Sequence, residues 1–190
     1  MTTPGTKAPD STEVLIDSVA RALNAAGIPC VLWGHLLWAV HGVPTTSPWV
    51  DLVIPDVSLE AAKGILTTSR FSKALVTCPD PTTCDAGSSP GRQHPHPAFH
   101  MHIEGMDSIA LHLQSETLWF LPPFDPSLAN PRGCQLPLYL ALACGDTAVL
   151  PHQSRLGMGA FQLDQTMVLI PKAHVLVEAL VGIAARDYGK

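Results

Sequence analysis

Apolar residues recur at helical spacing across STEVLIDSVARALNAA (11–26), where Val14, Leu15, Ile16, Val19, Leu23 and Ala26 fall near one stripe. This spacing predicts an amphipathic helix, capped by Asp10 or Ser11 and stopped by Gly27. IPCVLW (28–33) is a short run of β-formers, and Gly34 then leads into HLLWAVH, a short helix ending at Gly42. After GVPTTSP, WVDLVIP (49–55) predicts a buried strand interrupted by one charge, Asp51, and VSLEAAKGILTTS (57–69) a second amphipathic helix.

From Cys78 to Pro97 turn-forming residues crowd the chain, and a long surface loop is expected over 79–97. FHMHIE (99–104) and SIALHLQ (108–114) alternate with period two around Gly105–Asp107, which predicts a β-hairpin with His100, His102 and Glu104 on one face. Residues 121–133 are Pro-rich and irregular, and 135–144 are apolar but broken by Pro137. TMVLI (166–170) predicts a last short strand, and Pro171 is expected to open a strongly apolar final helix as its first residue. No internal repeat is visible. The expected architecture is α/β (α+β): one domain, 11–190, with a mixed sheet flanked by helices, preceded by a disordered tail over 1–10.

Composition narrows the function classes. With 190 residues, 46% hydrophobic and only 14% charged, the chain can build a sizeable core. Eleven Lys and Arg against sixteen Asp and Glu give a net charge of −5, which would repel a phosphate backbone, so nucleic acid is not expected as a partner. No apolar run reaches the roughly 18–20 residues that span a bilayer, and the first ten residues do not form a secretory leader. Five scattered cysteines (Cys30, Cys78, Cys84, Cys134, Cys144) suit reduced thiols better than a disulfide framework. The expectation is a cytoplasmic protein.

The segment WGHLLWAVHGVPTTSPWVDLVIP combines a glycine directly after a strand, a short helix, His41-Gly42, and a strand with a carboxylate. This layout resembles the nucleotidyltransferase superfamily, especially its minimal, antitoxin-associated branches, and the whole chain is similar to fungal members with a degenerate site. The resemblance covers roughly residues 11–70 well and 98–120 loosely. It places Gly34 and His35 at a glycine pair, Thr45 and Ser47 at an Arg and a Thr, and Trp49 and Asp51 at two metal-binding aspartates. A third carboxylate is expected on a later strand of the same sheet, where IALHL carries His112.

Nucleotidyl transfer needs Mg²⁺, and carboxylates at i and i+2 on a strand project to one face where they bridge the metals. An indole at 49 and an imidazole at 112 remove two hard oxygen ligands. What the resemblance then implies is a retained cleft with a changed lining: Asp51, His35 and His112 as catalytic acid/base and hydrogen-bonding groups, and Trp33, Trp38, Trp49, His100, His102 and Trp119 as substrate-binding walls. The expected function is a cofactor-free and metal-free enzyme that encloses an apolar small molecule and promotes its cyclisation or isomerisation, as in fungal specialised metabolism. Two alternatives stand beside it: a surviving Mg-dependent nucleotidyltransferase, and a noncatalytic binding or interaction module.

Other chemistries find little support. His94, His96, His100 and His102 with Cys78 and Cys84 match no standard zinc spacing, and no P-loop, GxGxxG, GxSxG or HExxH motif occurs. Cys30 lies in an apolar strand, where a thiol is usually inert.

Overall fold

The computed structural model describes residues 11–45, 49–68, 75–76, 95–103, 108–153, 157–163 and 165–188. The tail 1–10, the greater part of the 79–97 loop, the turn 104–107, and Ser47, Cys78, Cys84, His94 and Glu104 lie outside the described residues.

Helix α1 (Ser11–Ala25) ends where Gly27 takes φ +75° and the Ile28 N–H reaches back to the Leu23 carbonyl at 3.0 Å, satisfying one of the last carbonyls. Strand β1 (Val31–Trp33), helix α2 (Gly34–Val40) and strand β2 (Trp49–Ile54) follow as their apolar runs predict. A 3₁₀ turn over Asp56–Ser58 leads into α3 (Leu59–Thr68). Then come β3 (Leu75–Val76), β4 (Phe99–Ile103), β5 (Ser108–Leu113), α4 (Gln114–Thr117), β6 (Leu140–Leu142), β7 (Leu169–Pro171) and α5 (Ala173–Tyr188).

Six strands form a mixed sheet in the order β4-β5-β2-β1-β7-β6, extended at one edge by the two-residue β3. β4 and β5 are the antiparallel pair that their period-two pattern predicts, with Phe99 opposite Leu111. β5 then runs parallel to β2, and β2 antiparallel to β1. The registers assign the faces. Trp33, Trp49, Asp51, His100, Ser108, Ala110 and His112 share one face, while Leu32, Val50, Leu52, Ile54, Ile109 and Leu111 share the other.

The second face is apolar and buried except at the half-buried Phe99 and Leu113. It is covered by α3, whose Lys63 Nζ sits 6.0 Å from the Phe99 ring, and by α1, which packs on α3. Helix α2 lies on the first face, against Asp51.

Three elements depart from the sequence expectation. Pro171 does not open the last helix; it ends β7 opposite Leu140, and α5 starts at Ala173. Pairing with β6 carries the strand one residue beyond the expected end at Ile170, although it begins at Leu169 and not at Thr166, and a proline is tolerated at a strand end because it owes the ladder no N–H there. The run 135–144, read as merely apolar, supplies β6 from its last part. Residues 114–117 form a helical turn, in which the Thr117 hydroxyl bonds the Leu113 carbonyl at 2.9 Å. Among the described residues, no helix is long and apolar enough to cross a membrane.

His41 ties α2 to β7 by donating its Nε2–H to the Pro171 carbonyl at 2.9 Å. Burial lowers its pKa below the usual 6.5 and outweighs the opposing effect of that hydrogen bond. The unfolded chain therefore takes up this proton first, and the folded form loses stability as pH falls below about 6.5 toward the depressed value. Urea midpoints measured from about pH 7 to 5 are expected to fall less steeply in His41→Gln, which keeps a donor but does not titrate. An equal slope in the two proteins would remove His41 from the account.

Candidate functional site

Residue 51 is the third position of β2, and antiparallel pairing sets it opposite Trp33, while parallel pairing sets it beside Ala110. His112, two residues along β5, points to the same face and donates its Nε2–H to Asp51 Oδ1 at 2.9 Å. Both residues are only 1% exposed. A carboxylate buried so deeply in a sheet is tolerable because this imidazole answers it. The other ring nitrogen of His112, Nδ1, is buried without a hydrogen-bond partner.

Gly34 completes this pair sterically. It takes φ +69° at the start of α2, and a Cβ built on it would sit 2.3 Å from Asp51 Oδ2 and 2.9 Å from Cγ. The glycine is required twice, by its backbone conformation and by the close approach of helix and carboxylate.

One step toward the amino ends of β2 and β5 the face opens. Trp49, His100 and His102 are half-buried and meet edge to face, with ring centroids 5.5 Å apart for Trp49–His102, 6.0 Å for Trp49–His100 and 5.4 Å for His100–His102. His102 Nδ1 shares a 2.8 Å hydrogen bond with the Ser108 hydroxyl, which fixes the ring's rotation. Ser108 is the one member of this cluster that the sequence reading did not single out. Its signal is its place four residues before His112, on the same side of a period-two strand.

The structure therefore brings together Asp51 with His112, and Trp49 with His100 and His102, on one continuous face. His35 and Trp38, one turn apart on α2, form a separate edge-to-face pair at 4.9 Å. Trp33, expected to wall a cleft, is fully buried: its β1 position opposite Asp51 places it beneath α2 in the core. Trp119 stands apart from the group, beyond the carboxyl ends of β2 and β5, against Phe120, Gly182 and Arg186.

Chemically, the described residues of this face offer one carboxylate, three imidazoles, a hydroxyl and two indoles, of which Trp33 is fully buried. Among the described residues, no three His, Cys, Asp or Glu side chains are grouped to hold a metal ion. Cys30 is buried in the core, and desolvation pushes its thiol up to about 12, so it is no nucleophile at neutral pH. Comparison with known proteins returned no matching family model, no matching curated protein and no matching solved structure.

Proposed function

We propose that this chain is a degenerate nucleotidyltransferase-like protein that works without nucleotide or divalent metal, holding an apolar small molecule against Trp49, His100 and His102 and promoting its cyclisation or isomerisation. The observation that carries the reading is the Asp51–His112 hydrogen bond of 2.9 Å, with Trp49 two residues before Asp51 on the same face. Trp49, Asp51 and His112 stand where the resemblance expects three carboxylates. Mg²⁺ wants near-octahedral oxygen ligands and keeps several waters. One buried carboxylate, with an oxygen already committed to an imidazole, does not fit it.

The residues that are present suit proton movement. Asp51 accepts the His112 Nε2–H and so holds that ring in one orientation; this is a positioning role, because the pair is buried. His100 and His102 are the imidazoles that a ligand on the half-exposed surface would touch, and imidazole is the side chain whose ordinary pKa lies nearest neutrality. In an isomerisation, one of them takes a proton from one substrate atom and returns it to another, with no oxidant or co-reactant. The Trp49 ring supplies apolar area on which a flexible substrate is held in a reactive shape.

Cyclisation and isomerisation leave mass unchanged. Incubation with an apolar metabolite fraction, followed by chromatography with mass detection, should yield an isomer of equal mass with the wild type, and none with Trp49→Ala or His102→Ala. Melting should be insensitive to Mg²⁺ with ATP, since only a ligand that binds the native state raises stability, by about 2.7 kcal/mol at a hundredfold excess over Kd. A rise with Mg²⁺ and ATP would restore the nucleotidyltransferase reading and overturn this one.

The burial of Asp51 and His112 favours a second reading, a noncatalytic binding module, because a proton-transferring group must reach its substrate. Ligand-induced stabilisation that depends on Trp49, without any isomer, would select that reading.

A further inference from the structure

At the carboxyl ends of β2 and β5 the chain forms an open cleft of about 370 Å³, lined by Pro55, Asp56, Val57, Ser115, Trp119 and Leu121 among others. It lies about 20 Å from Trp49, six residues of extended strand away, so it is a different place from the Trp49–His100–His102 face. Its size is within the range of small-molecule sites, about 300–1,000 Å³. We propose that this cleft is a second binding site, specific for a small apolar amine whose ammonium meets Asp56 and whose hydrocarbon body lies on Trp119, Val57 and Leu121.

The walls are held in place from behind. Gln114 is buried and uses both ends of its amide on the loop that forms one wall: Nε2 donates to the Pro122 carbonyl at 2.8 Å, and Oε1 accepts the Phe124 N–H at 3.0 Å. The Ser115 N–H donates to Asp56 Oδ1 at 3.1 Å and thereby ties the two walls together. Trp119 is 42% exposed, yet its indole rests on α5 where Gly182 has no side chain; a Cβ there would come within 2.8 Å of the ring. An indole held exposed in a fixed position gives the cleft one apolar wall. Val57, 96% exposed, stands on the opposite wall.

Charge selects the ligand class. Among the described residues, the Ser115 N–H is the only partner of the Asp56 carboxylate, and no cation answers it. Arg186, whose guanidinium carbon lies 5.6 Å from the Trp119 ring centroid, is already paired with Glu116 at 3.1 Å and Asp187 at 2.9 Å. The cleft therefore presents one unbalanced negative charge at the edge of an apolar wall. A cationic head on a hydrophobic body complements it; a phosphate or carboxylate does not.

The test uses naphthylmethylammonium and its neutral counterpart naphthalenemethanol, titrated calorimetrically into the full chain. The wild type should bind the ammonium about two- to fivefold more tightly than the alcohol, the size of an exposed charge pair. Asp56→Asn, which keeps the Ser115 contact, should erase that preference. Trp119→Ala should weaken both probes at least about tenfold, with Trp119→Phe as the milder variant if the alanine protein fails to fold. Trp49→Ala, which lies outside the cleft, should keep the ammonium-over-alcohol preference. Failure of the wild type to bind the ammonium, equal binding of the two probes, a preference that survives Asp56→Asn, or loss of the preference in Trp49→Ala would each overturn the proposal.

Discussion

Gly34→Ala should remove about 3–4 kcal/mol of folding stability, more than a third of the margin of many domains, which runs from about 5 to 15 kcal/mol. Two independent penalties combine. A non-glycine residue at φ +69° costs roughly 1–2 kcal/mol for the left-handed backbone. The added methyl then meets Asp51 Oδ2 at 2.3 Å and Asp51 Cβ at 3.1 Å, and forcing volume into a packed site costs about 1–3 kcal/mol. Asp51 cannot swing away cheaply, because its Oδ1 is held by His112. Chemical denaturation should show the loss as a lower midpoint with an unchanged slope. Gly64→Ala is the control: in the middle of α3 its Cβ would meet nothing within 4 Å, so it should stabilise by about 0.5–1 kcal/mol. A Gly34→Ala protein as stable as the wild type would refute the close approach of α2 to the carboxylate.

The second large effect is an asymmetry within the buried pair. His112→Leu takes away the imidazole that Asp51 Oδ1 accepts from, and removing one partner of a buried pair costs about 3–5 kcal/mol. Asp51→Leu leaves a ring that can be neutral, so its cost should be nearer the 1–3 kcal/mol of an unsatisfied polar group. The double variant Asp51→Leu, His112→Leu should be more stable than His112→Leu alone, because apolar residues that replace both members of a buried pair come close to neutral. With a double variant near neutral against those two single losses, a double-mutant cycle with a coupling of about 4 kcal/mol or more is the expected outcome. Additive losses would mean that the two side chains do not support each other, and Asp51 would then lose its positioning role.

Much of the strand and helix inventory could be read along the chain because burial leaves a periodic trace. The stripe of Ile16, Val19 and Leu23 specifies α1, and the alternation of His100, Met101, His102 and Ile103 specifies β4. Short elements left weaker traces. Leu140–Leu142 becomes a strand because β7 offers it a partner, and Gln114–Thr117 becomes a turn of helix where β5 ends. The same limit holds for Pro171, whose local preference for a helix start yields to its pairing with Leu140.

For the site, the resemblance named Asp51, His112 and Trp49 as candidates and the period-two pattern put His100 and His102 beside each other, all of them uncommon polar or aromatic residues in otherwise apolar strands. Their grouping is a tertiary result. A period of two puts His100 and His102 on one side of a strand, but only the parallel register of β5 on β2 carries His112 to Asp51, from 61 positions away in the chain. The same registers buried Trp33 and left Trp119 at the far end of the sheet, beside a cleft that no motif announces. Local periodicity acts through neighbours a few residues apart, and so it decides which residues form an element and which face they share. Strand order, register and helix approach are chosen by how those faces bury one another, and that choice decides which side chains can meet.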